Sequence, residues 1–126
     1  MADAARSVLI AEDDSVIAWH LESMVKRFGY SVCATVSTER AAIDEAARLR
    51  PDLILMDVRL ADGGDGVRAA QTIRVGLRAA IVFCTAHADD PVLRERTAAF
   101  DLAAVLGKPV WEKDLKRVIA SVTGGE

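Results

Sequence analysis

The chain has 126 residues, a net charge of −3 and a hydrophobic fraction of 52%, enough apolar material for one continuous core and too little length for two domains. No run of about 18 uncharged apolar residues occurs, and "MADAARSVLI" lacks the basic start and long apolar stretch of a secretory signal, so a soluble cytoplasmic protein is expected, with no membrane contact. The mild acidity argues against direct nucleic-acid binding, which needs clustered Lys and Arg; "KDLKR" near the C-terminus is too short to overturn that.

Taken in order, "RSVLIA" (6–11) is an apolar run that stops at the acidic Glu12-Asp13-Asp14, and Ile17, Leu21, Met24 and Phe28 then recur at helical spacing over 15–28. "YSVCATV" (30–36) is rich in β-branched residues, and Ser37 is the expected N-cap of an Ala-rich helix running through Leu49 to stop before Pro51. "DLILMD" (52–57) reads as a third strand. A glycine-rich loop follows over 58–66, then a helix to about Val75 with Gly76 as its stop. "AAIVFCT" (79–85) is a fourth strand. Asp90 before Pro91 opens a helix to about Ala99, "LAAVLG" (102–107) is a fifth strand, and residues 111–122 form the last helix. Cys33 and Cys84 lie in strand-like stretches with no CxxC pair and read as small hydrophobes.

Strands alternating with helices imply parallel βαβ units, and near-continuous apolar strands imply a sheet covered on both faces. The expected fold is therefore α/β: a doubly wound five-stranded parallel sheet, occupying residues 1–126 as one domain with its core at about 6–122. In such sheets function gathers beyond the carboxyl ends of the strands. What collects there is Glu12-Asp13-Asp14 after the first strand, Asp57 ending the third, Thr85 ending the fourth, and Lys108-Pro109 after the fifth. Several carboxylates at one edge repel each other and call for a hard divalent cation; oxygen ligands suit magnesium, which keeps part of its water and leaves room for a substrate phosphate.

Asp57, a lone carboxylate closing the run "LILMD", then reads as a nucleophile toward a phosphoryl group. The cation and Lys108 would neutralise the equatorial oxygens and the Thr85 hydroxyl would donate a hydrogen bond. Singly, each residue has a plainer reading: the acidic triplet as a helix cap, Thr85 as a turn hydroxyl, Lys108 as a solvated charge. Their convergence at successive strand ends favours the site.

These stretches resemble the receiver domain of bacterial two-component response regulators over essentially the whole chain: "VLIAEDD" its first strand and acidic pair, "LILMDVRL" its phospho-acceptor strand, "FCTAH" its threonine strand, and "LGKPV" its lysine-proline turn. The resemblance implies a flavodoxin-like fold and a signalling domain that catalyses only its own phosphotransfer and dephosphorylation. Asp57 would accept phosphate from a partner histidine kinase or phosphotransfer protein. Asp13, Asp57 and the Arg59 main-chain carbonyl would bind Mg2+ directly, with Glu12 acting mainly through water. Lys108 would contact the phosphate, Thr85 with the Ala86 amide would detect it, and Lys108-Pro109 would be a cis peptide. Output would be a changed docking surface for a downstream protein target or a second copy of the domain. No output domain is expected within these residues, whether the chain is complete or cut from something longer.

Four positions depart from the family's usual pattern. Ala61 stands where a proline is common, four residues after the acceptor. Asp65 stands where a glycine is common, eight after, with "DGGDG" one residue longer. Val105 stands where an aromatic often precedes the lysine by three, and Val110, followed by Trp111, stands where Phe commonly follows Lys-Pro. A haloacid-dehalogenase-type phosphatase would need a second acid two residues after Asp57, where Arg59 stands and cannot act as a general acid. No GxGxxG follows the first strand, which removes a dinucleotide-binding fold. The remaining alternative is a phosphate-independent protein-binding module on the same fold.

Overall fold

The computed structural model describes residues 6–124. The first five residues and the last two, which the expected domain includes, lie outside the described residues. Elements run β1 (Ser7–Ala11), α1 (Ser15–Arg27), β2 (Ser31–Val36), α2 (Glu39–Leu49), β3 (Leu53–Asp57), β4 (Arg59–Leu60), β5 (Gly64–Asp65), α3 (Gly66–Gly76), β6 (Ala80–Thr85), α4 (Pro91–Ala98), β7 (Ala103–Gly107) and α5 (Glu112–Thr123). The main sheet has five strands, all parallel, in the order β2-β1-β3-β6-β7. The expected doubly wound α/β fold is the observed one.

Strand periodicity explains how the sheet is covered. Side chains alternate across a strand, so Leu9, Ile54, Met56, Ile81 and Phe83 point to one face with Ala42 and Ala46 of α2, Val67, Ala70 and Ile73 of α3 and Leu93 of α4. Val8, Ile10, Leu53, Leu55, Val82 and Cys84 point to the other, with Leu21, Met24 and Val25 of α1 and Leu115, Ile119 and Val122 of α5. Strands β3 and β6 are buried along their whole length, which accounts for their unbroken apolar sequences. Among the described residues, no helix is long and apolar enough to cross a membrane.

Several boundaries differ from the sequence expectation. Thr38, not Ser37, caps α2: its hydroxyl accepts from Ala41 N at 3.0 Å, while the Ser37 carbonyl accepts from Ala61 N at 2.9 Å. Gly76 does not stop α3 in a left-handed turn; it is the last helical residue, and extended Leu77 is the cap. The last helix begins at Glu112, with Trp111 as an N-cap that makes no side-chain capping bond. The 58–66 segment contains the short antiparallel hairpin β4-β5, with Arg59 opposite Asp65 and Leu60 opposite Gly64. Its turn places Asp62 and Gly63 at φ +59° and +74°, the left-handed region that Gly and Asp tolerate best.

Candidate functional site

Parallel strands bring the ends of β1, β3, β6 and β7 to one edge, and the expected residues meet there. Asp57 closes β3 in register with Cys84, one residue before Thr85, and Lys108 directly follows β7, its N donating to Thr85 O at 2.8 Å. The Lys108-Pro109 peptide is cis.

Lys108 Nζ donates to Asp57 Oδ2 at 3.0 Å and stands 2.8 Å from Glu12 Oε1. The second contact is an ion pair without hydrogen-bond alignment, so this buried oxygen keeps no hydrogen-bond partner. The other Glu12 oxygen accepts from Asp14 N at 3.1 Å, and Asp57 Oδ1 accepts from Arg59 N at 3.1 Å. Glu12, Asp57 and Thr85 are buried, whereas Asp13 is exposed. One carboxylate oxygen from each of Glu12, Asp13 and Asp57 lies within 4.8 Å of the others.

Electrostatics follow from this crowding. Loss of water, and then the neighbouring Asp57, push the Glu12 carboxyl up to about 7, against the pull of Lys108 and the Asp14 amide. Burial works against the charged Lys108 ammonium, but the Glu12 and Asp57 carboxylates outweigh it and hold its pKa above the ordinary value. Two buried carboxylates thus share a single lysine, and an aligned partner is missing at Glu12 Oε1. Together with exposed Asp13, this all-oxygen donor set fits a hard divalent cation.

Within the acidic triplet, Asp14 plays a separate part. Its Oδ1 accepts from Val16 N and Ile17 N at 2.9 and 3.1 Å and caps α1. The helix-cap reading is right for that residue and leaves Glu12 and Asp13 to the site. Thr85 Oγ1 accepts from His87 N at 3.0 Å. Arg59, His87 and Ala86 line one crevice of about 530 Å3 at the mouth of the site. Asp90 caps α4, donated to by Val92 N at 2.9 Å, with Pro91 as the first helical residue.

Sequence reasoning missed Gly66. A Cβ at this residue would stand 1.9 Å from the Asp57 main-chain oxygen, so the start of α3 lies directly against the end of β3. The close approach falls on Gly66 rather than Asp65, and the "DG" pair opening an apolar helical run was the signal for it. Sequence reasoning also passed over Glu39, which reaches from α2 to α3: its carboxylate takes Arg68 Nε and Nη2 at 2.7 and 2.8 Å, and that guanidinium lowers the Glu39 pKa to about 2.

Comparison with known proteins is consistent with this geometry. The sequence profile of the response regulator receiver domain matches residues 8–120. The phyllosphere-induced regulator PhyR of Methylorubrum extorquens is 32% identical over 120 residues, covering 94% of this chain and 44% of that protein. The transcriptional regulatory protein PdtaR of Mycobacterium tuberculosis is 38% identical over 117 residues, covering 90% of this chain and 56% of that protein. The chain thus spans about half the length of these curated relatives. Among solved structures, the receiver domain of the sensor histidine kinase PA1611 from Pseudomonas aeruginosa, described with a magnesium ion coordinated in its active-site cleft, superposes with a TM-score of 0.83 at 32% identity, over 96% of this chain and 99% of that one.

Proposed function

The chain belongs to the response regulator receiver domain family, and from that premise we propose that Asp57 is its phospho-acceptor, taking a phosphoryl group from the phosphohistidine of a partner kinase or phosphotransfer protein. An Asp57 carboxylate oxygen attacks phosphorus; the new O–P bond forms as the P–N bond breaks, and the released imidazole takes up a proton from water. The observation that carries this reading is the 3.0 Å contact between Lys108 Nζ and Asp57 Oδ2, with the Glu12 and Asp13 carboxylates alongside.

In this reading Lys108 follows the charge from the Asp57 oxygen onto the transferred group, and Thr85 turns its hydroxyl toward the phosphoryl oxygens with the Ala86 amide beside it. Asp13, Asp57 and the Arg59 main-chain carbonyl would hold Mg2+, with Glu12 behind a water ligand. When bound, the ion draws charge off the phosphoryl oxygens. The magnesium described for the PA1611 receiver supports that choice of metal. The domain acts in the cytoplasm and passes its signal by protein contact, to a downstream target or a second copy, through the segment that follows Thr85.

Incubation with acetyl phosphate and Mg2+, followed by intact-mass measurement, tests the assignment. Wild type gains one phosphoryl group, the gain requires the cation, and Asp57→Asn gains none. Labelling of Asp57→Asn at the wild-type rate refutes the acceptor. A wild type that takes no label under any divalent cation favours the phosphate-independent module.

A further inference from the structure

Asp65 does more than cap its helix. Its Oδ1 accepts from Val67 N and Arg68 N at 2.9 and 3.2 Å at the start of α3, and its main-chain N–H donates to Glu39 Oε1 at 3.0 Å. The remaining oxygen, Oδ2, is held by Arg96 Nη2 of α4 at 2.7 Å, with side chains 26% and 36% exposed. Burial works against the Asp65 charge, yet Arg96 and the capping amides keep its pKa below the ordinary value. Among the described residues this is the only ion pair between α4 and the β4-β5 hairpin, and it bridges a crevice of about 440 Å3 lined by Thr85 and His87.

What Asp65 holds in turn is the loop beside the acceptor. It faces Arg59 across the hairpin, Arg59 N donates to Asp57 Oδ1, and Gly66 N donates to Val58 O at 2.8 Å. Asp65 is thus tied through the hairpin to Arg59, the residue whose carbonyl is assigned as the main-chain metal ligand.

We propose that Arg96 is a positioning residue for metal binding: by holding Asp65 it fixes the hairpin that carries Arg59, whose main-chain N–H donates to Asp57, and so couples the docking of α4 to occupancy of the site. The inference rests on the ligand set assigned under the proposed function. An arginine suits this role because its planar guanidinium is pre-organised for carboxylate geometry. A hairpin that spends part of its time displaced lowers apparent affinity by the fraction lost, and by linkage the metal must favour the docked α4 by the same factor.

The test is calorimetric titration of Mg2+ into the full chain without any phosphodonor. The variants are Arg96→Ala, Asp65→Asn, their combination, Arg96→Lys and Asp13→Asn. Asp65→Asn keeps the side-chain oxygen that caps α3 and loses the charge that faces Arg96. Arg96→Ala and Asp65→Asn should each weaken Mg2+ binding by about 5-fold, the double variant by no more than either alone, and Arg96→Lys by less. Mg2+ should also raise amide protection across residues 91–98 in wild type and not in Arg96→Ala. If Asp13→Asn abolishes binding while the Arg96 and Asp65 variants bind like wild type, or if their losses add, the positioning role is overturned and the metal site stands. If Asp13→Asn binds as tightly as wild type, the metal site falls and the role of Arg96 falls with it.

Discussion

Gly66 and Asp57 meet backbone to backbone: the first residue of α3 lies so close to the carbonyl that ends the acceptor strand that a Cβ there would stand 1.9 Å from the oxygen. Real Cβ atoms do not approach that far, so either the strand end or the helix start must give way to a larger residue. Gly66→Ala should therefore lose about 1–3 kcal/mol of stability through overpacking, even though alanine is the better helix former. It should also slow labelling of Asp57, because the carboxylate would leave its place 3.0 Å from Lys108. Urea unfolding and the labelling rate check this; a variant as stable and as quickly labelled as wild type would count against the close approach.

The raised Glu12 carboxyl predicts a pH dependence for the metal-free protein. Between its ordinary value of 4.5 and about 7, the folded state keeps a proton that the unfolded chain has released. The stability Glu12 contributes is then complete below pH 4.5 and is lost as pH rises through about 7, a fall on the order of 1–3 kcal/mol. Glu12→Gln should flatten that fall. Saturating Mg2+ should offset it in wild type, since metal binding favours the deprotonated carboxylates. Denaturation in chelator at pH 5 and pH 8 decides; equal slopes in wild type and variant would refute it.

Val105 predicts where the signal travels. It is half-buried beside the fourth helix and has no ring to swing, and a β-branched side chain has little rotamer freedom to report anything. The neighbouring aromatic, Phe100, packs edge-on to Phe83 with centroids 5.5 Å apart and lies under Arg74. On the proposed function, closure of Thr85 on a phosphoryl group would pull on its bond from His87 N and so on the segment behind it. Amide exchange with and without beryllofluoride and Mg2+ should change mainly over residues 86–106. Changes confined to the 58–66 loop would contradict this route.

The sheet and the acceptor edge were legible because both depend on patterns that burial enforces. An apolar run closed by a polar or charged residue marks a buried strand end, and four such ends (Glu12, Asp57, Thr85 and Lys108) in alternation with amphipathic helices leave few topologies open. The loop over 58–66 was not legible in the same way. Its conformation rests on the Ala61 amide finding the Ser37 carbonyl and on Glu39 finding the Asp65 amide, pairings between segments far apart in sequence. Arg96 was invisible for the same reason: an arginine on a mostly exposed helix reads as solvated until its partner, 31 residues earlier, is seen beside it. Trp111 went the other way, since its place at a helix start is local but its lack of a capping bond is not.

The acceptor and its lysine are 51 residues apart, and they touch only because β3, β6 and β7 lie side by side in the finished sheet. Such contacts close late, because each long loop must lose its freedom before the pairing repays it. Lys108 directly follows β7, an edge strand of the main sheet. On the proposed function, a partly folded chain therefore carries Asp57 without the ammonium that stands 3.0 Å from it in the finished sheet, and phosphoryl acceptance would depend on that sheet having formed. Phosphoryl transfer to Asp57 would then be confined to folded molecules, and a misfolded copy would not compete for it.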